Sequence, residues 1–136
     1  MHIYTCDVLV CGGGPGGLCA AVSAARNGAD TMLVERYGFL GGAATNMLVF
    51  PFMTRYAGGK QIIDGLLQEI IERLDAKGGY GGPERSHMFD NELLKIVADE
   101  MCLESGVKLL FHTAVLGAET RDGRIQSVRV HNKSGE

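Results

Sequence analysis

From Cys6 to Ala21 the chain reads Cys-Asp-Val-Leu-Val-Cys-Gly-Gly-Gly-Pro-Gly-Gly-Leu-Cys-Ala-Ala, and a second apolar run, Thr31 to Val34, ends at the acid Glu35. Val8-Leu9-Val10 is continuous and apolar, as expected of a strand covered on both faces of a parallel sheet. The residues from about Gly16 to Asn27 predict a helix, with Gly28 placed to end it. Met32-Leu33-Val34 predicts a second buried strand. Strand, glycine turn, alanine-rich helix and strand together make a βαβ unit, which confines the chain to the α/β class.

Gly12, Gly14 and Gly17 fit G-x-G-x-x-G, and Glu35 follows Gly12 by roughly the twenty residues that a dinucleotide-binding fingerprint asks for. Each glycine has a separate reason to lack a side chain. Gly12 allows the tight turn off the strand, Gly14 lets backbone approach a pyrophosphate, and Gly17 lets the helix pack close to the strand. The first N–H groups of the helix have no intrahelical acceptor and sit at the positive end of its dipole. A pyrophosphate there is held without lysine or arginine. Glu35 is placed to accept hydrogen bonds from a ribose diol, and its charge opposes a 2′-phosphate, so FAD or NAD is expected over NADP. Arg36 next to it either softens that repulsion or is a solvated arginine at a strand end.

The chain has 136 residues, 46% of them hydrophobic, with a mean hydropathy of +0.06. That suits one globular domain and is short for a complete flavoenzyme. Fourteen of its twenty glycines gather at 12–17, 38–42, 58–59 and 78–82, which is loop chemistry at separate places. A net charge of −3 and the lack of a basic run argue against nucleic acid. Cys6, Cys11 and Cys19 fall in the predicted first strand and helix, where buried thiols act as small apolar groups. Cys6 and Cys11 stand five apart, on opposite faces of a strand, so no redox disulfide is expected. No histidine stands at ligand spacing, so no metal site is predicted. No leader peptide or membrane-spanning run is read, and the expected location is the cytoplasm.

The next convincing parallel strand, Val107 to Phe111, comes about seventy residues after Glu35, far later than in a plain NAD-type domain. The helix crossing to it is read from Asp90, a good N-cap, to Ser105, with Leu93, Leu94, Val97 and Met101 as its apolar face and Gly106 as its stop. Residues 37–89 are therefore an insertion. Within it, Gln61 to Lys77 predicts a helix striped by Ile62, Ile63, Leu66, Leu67, Ile70, Ile71 and Leu74. Ala114 to Thr120 and Arg124 to His131 predict antiparallel strands joined at Arg121-Asp122-Gly123. A third strand of that meander is expected beyond them. The domain 1–136 is accordingly read as incomplete at its C-terminal end, the N-terminal portion of a larger protein.

Taken in order, 7–17, Val34-Glu35-Arg36, Gly38-Phe39-Leu40-Gly41-Gly42-Ala43-Ala44-Thr45, Phe89 to Leu94 and Gly106 to Val115 resemble the FAD-dependent oxidoreductases with a glutathione-reductase-like FAD-binding domain. The branch related to fumarate reductase and geranylgeranyl reductase flavoproteins is the nearest in pattern. The resemblance implies a Rossmann-like FAD/NAD(P)-binding domain, with a parallel sheet, a helical insertion after the second strand and an antiparallel meander. It places Gly12, Gly14, Pro15, Gly16 and Gly17 along the FAD pyrophosphate, and Glu35 and Arg36 at the adenosine ribose. Gly41 and Gly42 would lie along the cofactor, with the Thr45 hydroxyl bonded to it, although a glycine turn closed by threonine explains the same residues. Val115 would meet adenine through its backbone, or is an ordinary strand valine.

No catalytic residue is named from the sequence. His112 is read as structural, and His87 precedes the crossover helix without an assigned role. Arg55 and Lys60, beside Gly58-Gly59, are read as solvated loop charges. Glu69, Glu72 and Arg73 are read as an exposed helix face, and Met47, Phe52 and Met53 as core or domain-contact residues. The expected function is the cofactor-binding portion of an FAD-dependent oxidoreductase acting on a small-molecule substrate, with no nucleic-acid or membrane partner and homo-oligomerisation left open. An NAD-binding reductase, a non-catalytic nucleotide-binding module and a methyltransferase with a glycine turn are the rivals.

Overall fold

A computed structural model describes residues 2–136. The first βαβ unit forms as the pattern requires: β1 (Val8–Cys11), α1 (Pro15–Arg26) and β2 (Thr31–Val34). Proline opens α1 where its missing N–H costs nothing, and Gly28 follows the helix at φ +89°. The crossover helix α3 (Asn91–Glu104) is capped by Asp90, whose Oδ1 accepts the N–H of Glu92 at 2.8 Å and of Leu93 at 3.0 Å.

That helix delivers β5 (Lys108–Leu110) to the sheet. The strand order is β1-β2-β5, all parallel, with β2 in the middle and pairing Leu9↔Met32 and Leu33↔Leu109. All four residues of β2 are buried, which is why that strand is an unbroken apolar run with no alternation.

The segment 37–89 packs into this unit. Leu40, Ala44, Ile70, Leu74 and Phe89 share one buried cluster with Leu18 and Val22 of α1, Leu33 of β2 and Leu94, Val97 and Met101 of α3. Fully burying such side chains contributes about 1.5–3 kcal/mol each. The helix expected at Gln61 to Lys77 is shorter than its apolar stripe: α2 is Leu66–Ala76. Gly65 just before it is non-helical at φ +67°, and Lys60–Gln61 (β4) pairs with Tyr56–Ala57 (β3) in a small hairpin. Ile62 and Ile63 turn their N–H groups to the Arg55 carbonyl and are exposed.

β6 (Ala114–Arg121) and β7 (Arg124–His131) form a two-stranded antiparallel hairpin. Asp122 and Gly123 both have positive φ, the geometry that matches strand twist in a two-residue hairpin loop. The four cysteines are free, and only Cys102 is buried, while Cys11 is exposed and Cys6 and Cys19 are half-buried. The apolar role expected of the first three belongs instead to Cys102 in α3.

Candidate cofactor site

The turn between β1 and α1 sets the geometry of the site. Gly12 leaves the strand at φ +105°, and a Cβ on Gly17 would overlap the Gly12 carbonyl oxygen, so the first turn of α1 lies directly on the loop. Gly14 is the N-cap, and a Cβ built there meets no atom within 4 Å. Among the described residues, the N–H groups of Gly14, Gly16 and Gly17 find no acceptor. No acidic side chain occupies the first turn. The result is a set of free amides at a helix N-terminus beside open space, the arrangement that binds a diphosphate.

Glu35 is buried, 6% exposed. Its Oε2 accepts the Gly13 N–H at 2.6 Å and its Oε1 accepts the Tyr37 N–H at 2.9 Å. The acid at the end of β2 thus fixes the glycine loop from below, and each oxygen keeps a lone pair for a hydroxyl donor. Gly13 is the residue that sequence reasoning passed over. A Cβ there would lie 3.2 Å from Glu35 Oε2 and would overlap Leu40, and the run of three consecutive glycines was its only sign. Arg36 is exposed, its guanidinium carbon 4.8 Å from the Tyr37 ring centre.

Glu35 and Arg36 line an open cavity of about 290 Å³ together with Cys11, Gly12, Val34, Thr113, Ala114 and Val115. β5 makes this possible: the Thr113 N–H reaches the Glu35 carbonyl at 3.0 Å, bringing the start of β6 beside the end of β2. Four of the sequence-derived residues, Gly12, Glu35, Arg36 and Val115, therefore meet in one place. Cys11, Thr113 and Ala114 join them; they lie within the stretches 7–17 and Gly106 to Val115 that carry the resemblance, but were not singled out. Partial desolvation of its sulfur, and then the nearby Cys6 thiol, push the Cys11 thiol above its ordinary pKa, so it stays protonated at neutral pH.

The second glycine segment backs onto the first. The Gly41 N–H donates to the Gly13 carbonyl at 2.8 Å, and a Cβ on Gly42 would come within 2.7 Å of the Gly14 Cα. Thr45, 3% exposed, donates its hydroxyl proton to the Leu40 carbonyl at 2.7 Å. It closes the turn that holds Gly41 and Gly42 against the loop, so its proton is committed to the backbone. Pro15 and Gly16 are exposed at the mouth of the site.

The amides, the side-chain-free approach at Gly14 and the carboxylate at the end of β2 fit an adenine dinucleotide. A family model described as FAD dependent oxidoreductase matches residues 7–136. The chain belongs to this family. FAD is the cofactor that membership assigns.

The chain is also similar to dihydrolipoyl dehydrogenase 3 of Haloarcula marismortui, 32% identical over 122 residues, covering 85% of this chain and 24% of that protein. The dihydrolipoyl dehydrogenase of Trypanosoma brucei brucei is 51% identical over 45 residues, or 33% of this chain and 9% of that protein. The chain thus spans less than a quarter of the length of these curated relatives. Two solved structures share the fold. One is a geranylgeranyl bacteriochlorophyll reductase-like protein of Thermoplasma acidophilum, with TM-score 0.60, 22% identity, and 96% of this chain and 36% of that one covered. The other is the 3-ketosteroid-delta4-(5alpha)-dehydrogenase of Rhodococcus jostii RHA1, with TM-score 0.63, 16% identity, and 98% and 43% covered.

Several residues outside this site depart from their sequence reading. Met47 and Met53 are exposed, which removes the core reading for them and leaves the domain-contact one, whereas Phe52 stacks on Phe89 with ring centres 4.2 Å apart. Glu69 and Arg73 are not a plain solvated face: Glu69 bonds Arg26 of α1 at 2.6 Å and Arg73 of its own helix at 2.9 Å, and Arg73 reaches Glu104 of α3 at 2.6 Å. His112 is exposed and lies against Gly38, where a Cβ would come within 2.7 Å of its ring. Lys60 is exposed, as read. Arg55, read as a solvated loop charge, is buried at 8% exposure, because the β3–β4 hairpin and α2 close over it. Among the described residues, no helix is long and apolar enough to cross a membrane.

Proposed function

We propose that this chain is the FAD-binding portion of a flavin-dependent oxidoreductase acting on a small organic substrate. The N–H groups of Gly14, Gly16 and Gly17 would hold the diphosphate, with Gly12 and Pro15 shaping the turn. Glu35 and Arg36 would hold the adenosine ribose, and the Val115 backbone the adenine. Gly41 and Gly42 would back the cofactor where it passes the loop, with Thr45 pinning their turn. When bound, the flavin supplies hydride or electron transfer, and the protein supplies its orientation and electrostatic surroundings. The observation that carries the reading is the trio of unpartnered amides beside the empty approach at Gly14.

The cytoplasm is the proposed location, with neither nucleic acid nor membrane as a partner. The test is the absorbance of the purified polypeptide carrying this sequence at its natural length. Bands near about 370 and 450 nm that bleach with an electron donor are expected of the flavoenzyme. Colourless protein whose melting temperature rises with NADH, by ligand linkage, would favour a nicotinamide reductase instead. Flavin that no donor reduces would favour a non-catalytic binding module.

A further inference from the structure

A second cavity, of about 330 Å³, opens in the insertion between residues 52–56 and residues 86–87. Arg55 is its most unusual wall. The residue is more than nine-tenths buried, yet among the described residues it makes no ion pair. Its Nη2 donates to the neutral amide oxygens of Gln68 and, at 3.4 Å, Gln61. Its Nε is buried without any acceptor. Glu72 stands one step further on, accepting from Gln68 Nε2 at 2.7 Å, so the acid is kept away from the arginine by an intervening amide. A buried cation with no counter-charge is strongly unfavourable unless an anion completes it.

The rest of the cavity suits an apolar, planar body. Phe52 and Tyr56 line it, and the Tyr56 ring centre lies 5.2 Å from the Arg55 guanidinium carbon. His87 also lines it, with its ring centre 6.2 Å from that of Tyr56 and 6.1 Å from that of Tyr80. The Tyr80 hydroxyl is 2.6 Å from His87 Nδ1, so that ring nitrogen is engaged within the protein. Thr54, Ser86 and His87, none of them glycine, all sit at positive φ around this cavity. Such strain persists where the surroundings hold it and gathers at ligand sites.

We propose that this cavity binds a small carboxylic acid with an aromatic or apolar body, its carboxylate seated on the Arg55 guanidinium. The planar fork of arginine matches a carboxylate, and a single cation among aromatic rings suits a monoanion better than a phosphate dianion. The proposal stands on the insertion alone and does not need the flavin reading.

The experiment uses the natural-length protein with Met53→Trp, since Met53 lies on the rim at 68% exposure, and the same protein without the substitution supplies the fluorescence background that is subtracted. Benzoate, benzamide and inorganic phosphate are titrated against the indole fluorescence, and absorbance of the same sample records flavin content separately. Benzoate is expected to bind saturably and at least about tenfold more tightly than benzamide or phosphate. Arg55→Gln in the same background should weaken benzoate at least about thirtyfold and leave benzamide unchanged. Should Arg55→Gln fail to fold, the benzoate-to-benzamide ratio in the parent decides alone. Equal affinity for the acid and its amide, no saturable benzoate binding, or full retention of benzoate affinity by folded Arg55→Gln would overturn the proposal, whatever the flavin content.

Discussion

The Glu35 carboxylate accepts the Gly13 N–H at 2.6 Å, tying the end of β2 to the glycine loop 22 positions earlier. The same side chain holds the Tyr37 N–H and walls the cavity beside Gly12. One acid therefore shapes the loop and presents charge to whatever sits on it. Glu35→Ala would strand two amides, the buried Gly13 N–H at about 1–3 kcal/mol and the half-buried Tyr37 N–H, which water can reach, at about 1 kcal/mol. A loss of about 2–4 kcal/mol in urea-denaturation stability is expected, whereas Glu35→Gln, which keeps an acceptor oxygen, should lose less. Equal stability of Glu35→Ala and the parent would show that the loop is held by other means.

Gly14 and Gly17 separate cofactor approach from folding. At Gly14 an added Cβ meets only open space, so Gly14→Val should keep its far-UV circular dichroism, lose about 1 kcal/mol from the altered N-cap, and release flavin. At Gly17 a side chain would run into the Gly12 carbonyl, so Gly17→Ala should cost about 3 kcal/mol or more as helix and loop are forced apart. Flavin retention by well-folded Gly14→Val would contradict the diphosphate assignment.

Glu69 bridges α1 and α2 through Arg26, and Arg73 carries the chain of charges on to Glu104 of α3. Hydrogen bonding to Arg26, outweighing burial, holds the Glu69 carboxyl below its ordinary value of 4.5. A carboxyl whose folded pKa is depressed adds stability above its unfolded pKa and loses it as pH falls through the folded one. Glu69→Gln should therefore cost roughly 0.5–1 kcal/mol at pH 7, a modest figure because Arg26 is well solvated. The gap to the parent should close as the pH falls below 4.5, and a gap independent of pH would exclude the ion pair as its source.

Cys102 lies fully buried in α3, and burial followed by the nearby Asp99 charge pushes its thiol up to about 12. It should resist alkylation at pH 8 until the protein unfolds, since the thiolate is the reactive form. Exposed Cys11 should react first, slowed by its own raised pKa. Mass spectrometry of partly labelled protein reads the order directly, and early modification of Cys102 would mean that α3 opens locally.

Most of the fold and half of the cavity were legible in the residues. The first βαβ unit, the Asp90 cap and the Asp122-Gly123 turn follow from patterns a few residues long, because strand burial, capping and turn geometry are decided locally. The α2 boundary was not legible. Ile62 and Ile63 continue the helical stripe, yet Gly65 breaks the helix and the β3–β4 hairpin claims the chain before it. Thr113 and Ala114 lie in a stretch that carries the resemblance, but their place in the cavity was not legible, since it depends on which strand β5 pairs with.

Arg55 shows the limit most clearly. Beside Gly58-Gly59 it resembles any solvated loop cation, and only the closure of α2 and the hairpin over it removes water and leaves its charge without a partner. The order of residues alone determined the parallel strands, the glycine loop and the free amides at the head of α1, because each depends on neighbours close along the chain. Which distant side chains share a cavity, and whether a charge meets solvent, an acid or neither, was decided by tertiary packing. Those outcomes depend on contacts between segments tens of residues apart, and no local pattern encodes them.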